Sequence, residues 1–164
     1  MDKRDSFNKL VSLFKNGYNE ANGVANGFIR PSYVSDEQDF SACVTCEMPC
    51  AKACDENIIV SASDGTVMID FTQGGCTYCD ECANVCLHGV LTRENKKNIR
   101  AYIQINEEKC LSWNKVMCMS CKDPCLDNAI LFQGLFQPKI KNNCTSCGFC
   151  INICPTNAIE VFHD

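Results

Sequence analysis

The last cysteine-rich stretch of the chain restricts its fold more than any other feature of the sequence. It reads Cys144-Thr-Ser-Cys147-Gly-Phe-Cys150-Ile-Asn-Ile-Cys154-Pro155, a C-x2-C-x2-C-x3-C-P run. In bacterial proteins this spacing is typical of iron–sulfur ligation, with three thiolates on one cluster and the fourth on the other cluster of a pair. Pro155 has no N–H to donate, which suits a position where the chain turns.

The four-cysteine pattern occurs four times and uses all sixteen cysteines of the chain. The first set has one extra residue before Cys50, and the third has a long gap between Cys110 and Cys118. An apolar pair follows the fourth cysteine of every set, which predicts one small supersecondary unit used four times. The predicted metal ligands are Cys43, Cys46, Cys50 and Cys54; Cys76, Cys79, Cys82 and Cys86; Cys110, Cys118, Cys121 and Cys125; and Cys144, Cys147, Cys150 and Cys154.

Three kinds of site use cysteine at this density. A disulfide framework needs an oxidising compartment, and the charged start of the chain is not followed by the apolar run of an export signal. Structural zinc takes pairs of cysteines from separate knuckles, often with histidine. The third and fourth cysteines at these spacings favour [4Fe-4S] clusters over zinc and disulfides. Neither His88 nor His163 is needed as a ligand, because every set is already complete.

The crossed-ligand rule for such pairs predicts which cysteines share a cluster. In the first half of the chain, Cys86 completes the first set of three and Cys54 completes the second. In the second half, Cys154 completes the third set and Cys125 completes the fourth. Four clusters are expected, or three if the irregular first or third set does not hold one.

Composition limits the function classes. The 46% of hydrophobic residues includes the sixteen cysteines, so the aliphatic core is thin and bound metal must contribute to folding. A net charge of −5 argues against a nucleic-acid partner. No apolar stretch is long enough to span a membrane. We therefore expect a cytoplasmic protein without a membrane span, and the sequence leaves its oligomeric state open.

The chain divides into three predicted parts, with an α+β fold of short strands and short helices. Residues 1–42 form an N-terminal arm, residues 43–100 a first two-cluster ferredoxin-like unit with its linker, and residues 101–164 a second such unit. In the arm, an amphipathic helix is predicted from an apolar stripe, and it is either a lid on the clusters or a docking element for a partner. The stripe consists of Phe7, Leu10, Val11, Phe14 and Tyr18.

Short strands are predicted where apolar and β-branched residues cluster around turn signals. They lie at residues 58–60, 66–69, 102–105, 130–132, 138–140 and 159–161, with a hairpin turn at residues 63–65. Trp113, the single tryptophan, lies in the gap between Cys110 and Cys118. It is expected either to cover the neighbouring cluster from water or to pack structurally.

Two resemblances follow from these motifs. The doubled C-x2-C-x2-C-x3-C units resemble bacterial two-cluster ferredoxins, and the fuller pattern resembles the ferredoxin-type NapF family of the periplasmic nitrate reductase system. The features that carry the second resemblance lie outside the common cysteine spacing. They are Ile29-Arg30-Pro31 with Tyr33, Asp36-Glu37 and Phe40; the gap from Cys110 to Cys118; Ser120-Cys121-Lys-Asp-Pro-Cys125; Ala129-Ile130-Leu-Phe132; and Gln137-Pro138.

The NapF resemblance implies an iron–sulfur accessory protein that assists maturation of the catalytic subunit of periplasmic nitrate reductase before its export. Its expected role is in loading the iron–sulfur centre of that subunit. The residues alone indicate only an electron or cluster carrier, and they show no base, nucleophile or open metal site, so no enzymatic activity is expected. The alternative function is electron transfer, as a soluble polyferredoxin or as a subunit of a quinol-linked redox complex.

Overall fold

The computed structural model describes residues 27–35 and 39–163. The predicted N-terminal helix and its apolar stripe lie outside the described residues. The described chain mixes a few short helices with short strands, in agreement with the α+β class. Within these residues no helix has the length and apolar character needed to cross a bilayer.

Three single-turn helices carry the third cysteine of their sets. They are α1 (Pro49–Lys52), α2 (Glu81–Asn84) and α3 (Phe149–Asn152), and they contain Cys50, Cys82 and Cys150. The residue before each helix has a left-handed backbone, with φ of 51°, 69° and 88° at Met48, Asp80 and Gly148. This conformation reverses the chain just before the helix, so the second and third cysteines of a set can face the same space. Two 3-10 turns, Ser41–Cys43 and Arg93–Asn95, complete the helical segments.

Within residues 27–35 and 39–163, six strands form three antiparallel pairs. The pairs are β1 (Ile59–Ser61) with β2 (Val67–Ile69), β3 (Ala101–Ile105) with β6 (Ile159–His163), and β4 (Ile130–Gln133) with β5 (Phe136–Ile140). The predicted turn at Gly65 is confirmed: its φ is +80°, and its N–H donates to the carbonyl of Ala62. All six predicted strands are confirmed to within one or two residues at most ends.

Segment 29–33 takes the place of an outer strand beside the first hairpin. The N–H of Ile69, in β2, donates to the carbonyl of Ile29 over 2.8 Å, and the N–H of Thr92 donates to the carbonyl of Tyr33 over 3.0 Å. Tyr33 is only 1% exposed. Segment 29–33 of the predicted arm therefore packs into the core of the first half (residues 43–100).

Two buried clusters form the core. The first gathers Ile58, Val67, Phe71 and Leu91 with Tyr33, and the second gathers Ile103, Ile130 and Ile159 of the second half (residues 101–163). The apolar pairs behind the fourth cysteines thus supply much of both cores. Cys50, Cys82 and Cys150 are themselves buried members of these clusters, and other cysteines of the four sets pack against them.

The two halves meet where two glycines allow close approach. A Cβ at Gly75 would lie 2.5 Å from the backbone nitrogen of Phe149, and a Cβ at Gly148 would lie 2.1 Å from the ring of Phe71. The hydroxyl of Tyr78 also donates to the carbonyl of Thr145 over 2.6 Å. These contacts join the loop of the second cysteine set to the loop of the fourth.

Candidate metal centres

The first candidate centre combines residues from two distant parts of the sequence. Cys43, Cys46 and Cys50 line one cavity together with Cys86. Burial raises the pKa of the Cys50 thiol to about 11, and the neighbouring Cys86, Cys43 and Cys46 add to the rise. The structure therefore places Cys86 with the first three cysteines and not with its own set.

The second candidate centre is the reciprocal arrangement. Cys54 lines a cavity of about 140 Å³ with Cys76, Cys79 and Cys82. Burial raises the pKa of the Cys82 thiol to about 12, and Cys76, Cys79 and Cys54 act on it as close neighbours. Cys79 is the exposed member of this group.

The second half repeats the exchange for the third candidate centre. Cys110, Cys118 and Cys121 line a small cavity with Cys154. Burial raises the pKa of Cys121 to about 12, with Cys110, Cys118 and Cys154 contributing further. The long gap after Cys110 thus does not remove it from its set, although the described residues between Cys110 and Cys125 form turns and no helix.

The fourth candidate centre contains the first three cysteines of the C-terminal C-x2-C-x2-C-x3-C-P motif. Cys150 is buried, which raises its pKa to about 12, and Cys147, Cys144, Cys121 and Cys125 are neighbours that add to the shift. Burial likewise raises the pKa of Cys144, and Cys125 is again a contributor. The cavities of the first three groups therefore have the crossed composition that the spacing predicts, and the neighbours of Cys144 and Cys150 agree with it for the fourth.

Main-chain N–H groups point at the fourth cysteine of several sets. Ala129 donates to Sγ of Cys125 and Ala158 donates to Sγ of Cys154, both over 3.2 Å. Leu91 donates to Sγ of Cys86 over 3.3 Å. Burial raises the pKa of Cys154, but the N–H groups of Thr156 and Ala158 outweigh it, so its pKa lies below the ordinary value. Such donors stabilise the thiolate, the form that binds metal.

A left-handed residue three positions after every fourth cysteine forms these turns. The four residues are Asn57, Gly89, Asn128 and Asn157, with φ between 49° and 65°. The N–H of each donates to the carbonyl of the fourth cysteine of its set. Asparagine and glycine tolerate this conformation better than other residues. The sequence repeat therefore includes a turn residue as well as the apolar pair.

The chemistry of the donor set fits iron–sulfur clusters. All sixteen cysteines are free thiols, so none is committed to a disulfide. In residues 27–35 and 39–163, no three acidic, histidine or cysteine side chains converge on the position of a single metal ion. A cluster fills the space between its thiolates with several iron and sulfide ions, so its ligands stand farther apart than those of one ion. Four thiolates and inward N–H donors at each centre match that requirement.

Two residues of segment 29–33, Arg30 and Tyr33, contact residues that surround the first two centres. The sequence motifs assigned no role to either at these centres. Tyr33 donates from its hydroxyl to the Asp80 carboxylate over 2.8 Å and accepts from the Asp80 N–H over 3.0 Å. Lys96 also donates to Asp80, over 2.6 Å, and together these partners lower the pKa of that carboxyl group. These contacts hold Asp80 in place, in the loop between Cys79 and Cys82.

Arg30 lies beside the first centre. Its guanidinium is 4.2 Å from the ring centroid of Phe40 and 5.2 Å from that of Phe28. It donates to the hydroxyl of Thr66 and to the carbonyl of Val67. Burial raises the pKa of the Cys43 thiol, and the positive charge of Arg30 opposes that rise.

Trp113 contacts β5 and does not line the cavity of the third centre. Its indole N–H donates to the carbonyl of Pro138 over 3.1 Å, and its ring lines a groove between β3 and β5. The neighbouring Leu111 lines the cavity of Cys110 and Cys118 instead. Of the two alternatives for the tryptophan, the structure favours packing against β5.

Comparison with known proteins adds an independent observation. A family model described as a 4Fe-4S binding domain matches residues 138–160. The ferredoxin-type protein NapF of Escherichia coli K12 is 31% identical over 142 residues, which cover 83% of this chain and 85% of that protein. The chain belongs to the NapF family of ferredoxin-type proteins. As a member it binds [4Fe-4S] clusters, which agrees with the cofactor that the cysteine spacing predicts.

Two further relatives extend the comparison. The ferredoxin-type protein NapF of Haemophilus influenzae Rd is 32% identical over 139 residues, covering 81% of this chain and 78% of that protein. The pyruvate synthase subunit PorD of Thermotoga maritima is 36% identical over 58 residues, only 35% of this chain and 54% of that protein. The NapF relatives therefore match across most of the chain, whereas the pyruvate synthase subunit matches one part of it.

Proposed function

We propose that the protein consists of two tandem two-cluster ferredoxin-like units, residues 43–100 and 101–164, preceded by a docking arm within residues 1–42. The four crossed groups of cysteines hold four [4Fe-4S] clusters. The observation that supports this most directly is the exchange of the fourth cysteine between sets in both halves. Such an exchange is the ligand pattern of two-cluster ferredoxins.

The proposed role is maturation of the catalytic subunit of periplasmic nitrate reductase in the cytoplasm, before that subunit is exported. The protein acts there as an accessory that delivers or assembles the iron–sulfur centre and does not catalyse a reaction of its own. Membership of the NapF family supports this role. The acidic chain, with no nucleic-acid motif, is consistent with a protein partner.

Electron transfer is the second candidate, and the junction between the halves favours it. Close cysteine neighbours connect the centres in series: Cys50 with Cys82 between the first and second, Cys76 with Cys147 between the second and fourth, and Cys150 with Cys121 between the fourth and third. A continuous series of centres suits a carrier that accepts an electron at one end and releases it at the other.

One experiment separates the two functions. The protein is loaded with 57Fe and incubated anaerobically with the cluster-free precursor of the catalytic subunit. The two proteins are then separated, and the 57Fe content of each is measured by mass spectrometry. Maturation predicts stable capture of the precursor and appearance of 57Fe in it. Turnover with a reductase, without capture and with all 57Fe retained by the carrier, would overturn maturation and support electron transfer.

A further inference from the structure

Ser32 is a buried polar residue whose hydroxyl has no partner in the described chain. The residue is 2% exposed, and Oγ finds no hydrogen-bond partner in residues 27–35 and 39–163. Its main-chain carbonyl, in contrast, accepts from the N–H of Lys97 over 3.0 Å. Because leaving a buried hydroxyl unpaired is costly, such a group usually has a partner that the protein atoms alone do not supply.

The position of Ser32 indicates what that partner is. Ser32 lies in the wall of the cavity that Cys54, Cys76, Cys79 and Cys82 line. The neighbouring Tyr33 is tied to Asp80, within the loop that carries Cys79 and Cys82. The main chain on both sides of the serine is therefore held by hydrogen bonds, which keeps its side chain beside the second centre.

We infer that the Ser32 hydroxyl donates a hydrogen bond to a sulfur atom of the cluster held by Cys54, Cys76, Cys79 and Cys82, and thereby raises its reduction potential. The inference rests on the proposed ligand assignment. A reduced cluster carries one more negative charge than an oxidised cluster, so a donor stabilises the reduced form more. Hydrogen bonds to the sulfurs are among the factors that set cluster potentials.

The third centre has two hydroxyls beside its cysteines, and both come from residues within or next to the cysteine sets. Oγ of Ser120 lies 3.7 Å from Sγ of Cys118, and Oγ1 of Thr156 lies 3.8 Å from Sγ of Cys154. Ser32 is different because it comes from a segment more than twenty residues before the nearest of its cysteines in the sequence. Its contribution depends on segment 29–33 being packed against the first half.

The test is a redox titration of the full-length protein, which is purified anaerobically with its clusters. It is reduced stepwise with dithionite, which dissociates into a one-electron donor. The cluster spectra are followed by electron paramagnetic resonance. Ser32→Ala removes only the hydroxyl, and Ser32→Thr retains one. The control is Ser112→Ala, because Ser112 is similarly buried at 1% exposure but donates to the carbonyl of Leu135, in the second half of the chain, and does not line the cavity of the second centre.

We expect Ser32→Ala to lower one potential, so that the reduced-to-oxidised ratio of that cluster at fixed ambient potential falls about tenfold, equivalent to about 59 mV. Ser32→Thr restores most of the wild-type value, and Ser112→Ala leaves the potential of the second centre unchanged. The cluster is identified by Cys79→Ser, which removes or alters the same signal. Unchanged potentials in Ser32→Ala, or a shift in a signal that Cys79→Ser leaves intact, would overturn the inference.

Two further measurements keep the inference separate from the ligand assignment. If Cys79→Ser has the full iron content and an unaltered spectrum, the assignment fails, whatever the effect of Ser32. If Ser32→Ala does not assemble its clusters, the exchangeable-proton coupling of the wild-type cluster is compared in H2O and D2O with that of Ser32→Thr. Absence of a hydroxyl-type coupling in both proteins would contradict the hydrogen bond, and its presence would support it.

Discussion

The main-chain N–H of Cys76 donates to the main-chain carbonyl of Cys147 over 2.6 Å. The hydrogen bond joins a cysteine of the first half directly to a cysteine of the second. The hydroxyl of Tyr78 strengthens the same contact through the carbonyl of Thr145. The two halves are therefore connected at their metal-binding loops.

This junction predicts an unusual sensitivity to a single methyl group. Gly148→Ala introduces a Cβ 2.1 Å from the ring of Phe71, at a residue whose φ is +88°. We expect it to destabilise the cluster-containing protein by about 1–3 kcal/mol beyond the backbone strain, because the rings and loops of both halves must move apart. The measurement is anaerobic denaturant unfolding, monitored by far-UV circular dichroism.

Gly134→Ala is the matched control for that experiment. Gly134 has a φ of +66°, but no atom lies within 4 Å of the position of its added Cβ. The control therefore carries the strain of a left-handed alanine, about 1–2 kcal/mol, without the clash. Equal destabilisation by the two variants would show that the junction is not tightly packed.

The crossed ligand assignment predicts which cysteine variants resemble each other. The wild-type protein should contain about 16 iron atoms. Cys54→Ser and Cys76→Ser should lose or alter the same cluster signal, whereas Cys50→Ser and Cys86→Ser should affect a different one. Iron analysis and electron paramagnetic resonance of the reduced variants test this. If Cys54→Ser instead matches Cys50→Ser, each set binds its own cluster and the crossed assignment is wrong.

Removal of the clusters should unfold the protein. The buried aliphatic residues are few, and cysteines from every set contact the two cores. Since metal binding supplies folding free energy in small domains of this kind, anaerobic chelation of iron should abolish most of the native far-UV circular dichroism. Addition of iron and sulfide under reducing conditions should restore it. A native spectrum after complete iron removal would contradict the prediction.

The N-terminal arm, and not the cluster units, is predicted to select the partner, because the cluster units carry little that could distinguish one redox partner from another. Deletion of residues 1–27 removes the apolar stripe but retains Phe28, which lies against Arg30. We expect the truncated protein to keep its iron and to lose capture of the nitrate reductase precursor, because helices often bind partners through such stripes.

A double variant, Phe7→Ala with Phe14→Ala, tests the same prediction without shortening the chain. Interface anchors of this size typically contribute more than about 1 kcal/mol each, so the loss should appear as a lower affinity in the pull-down. Loss of iron with undiminished capture would show instead that the arm is a lid over the clusters.

The sequence by itself determined the parts of the protein that depend on neighbouring residues. The spacing of cysteines predicts the four sets and their exchange, since a cluster loop is built from residues a few positions apart. The apolar pairs predict the strands, whereas the left-handed Asn or Gly before each pair, such as Asn157, was recognised as part of the repeat only from its positive φ. Each of these signals is local and is repeated along the chain.

Only the tertiary structure decided which residues from distant parts of the chain surround the centres. Tyr33 and Asp80 are 47 residues apart, and Cys76 and Cys147 meet across the two halves. Nothing periodic in the sequence connects such positions, because these contacts arise from the packing of segments that are independent in the chain. The position of Ser32 beside the second centre and the contact of Trp113 with β5 were decided in the same way. The first depends on how segment 29–33 packs against the first half, and the second on the hydrogen bond to the carbonyl of Pro138.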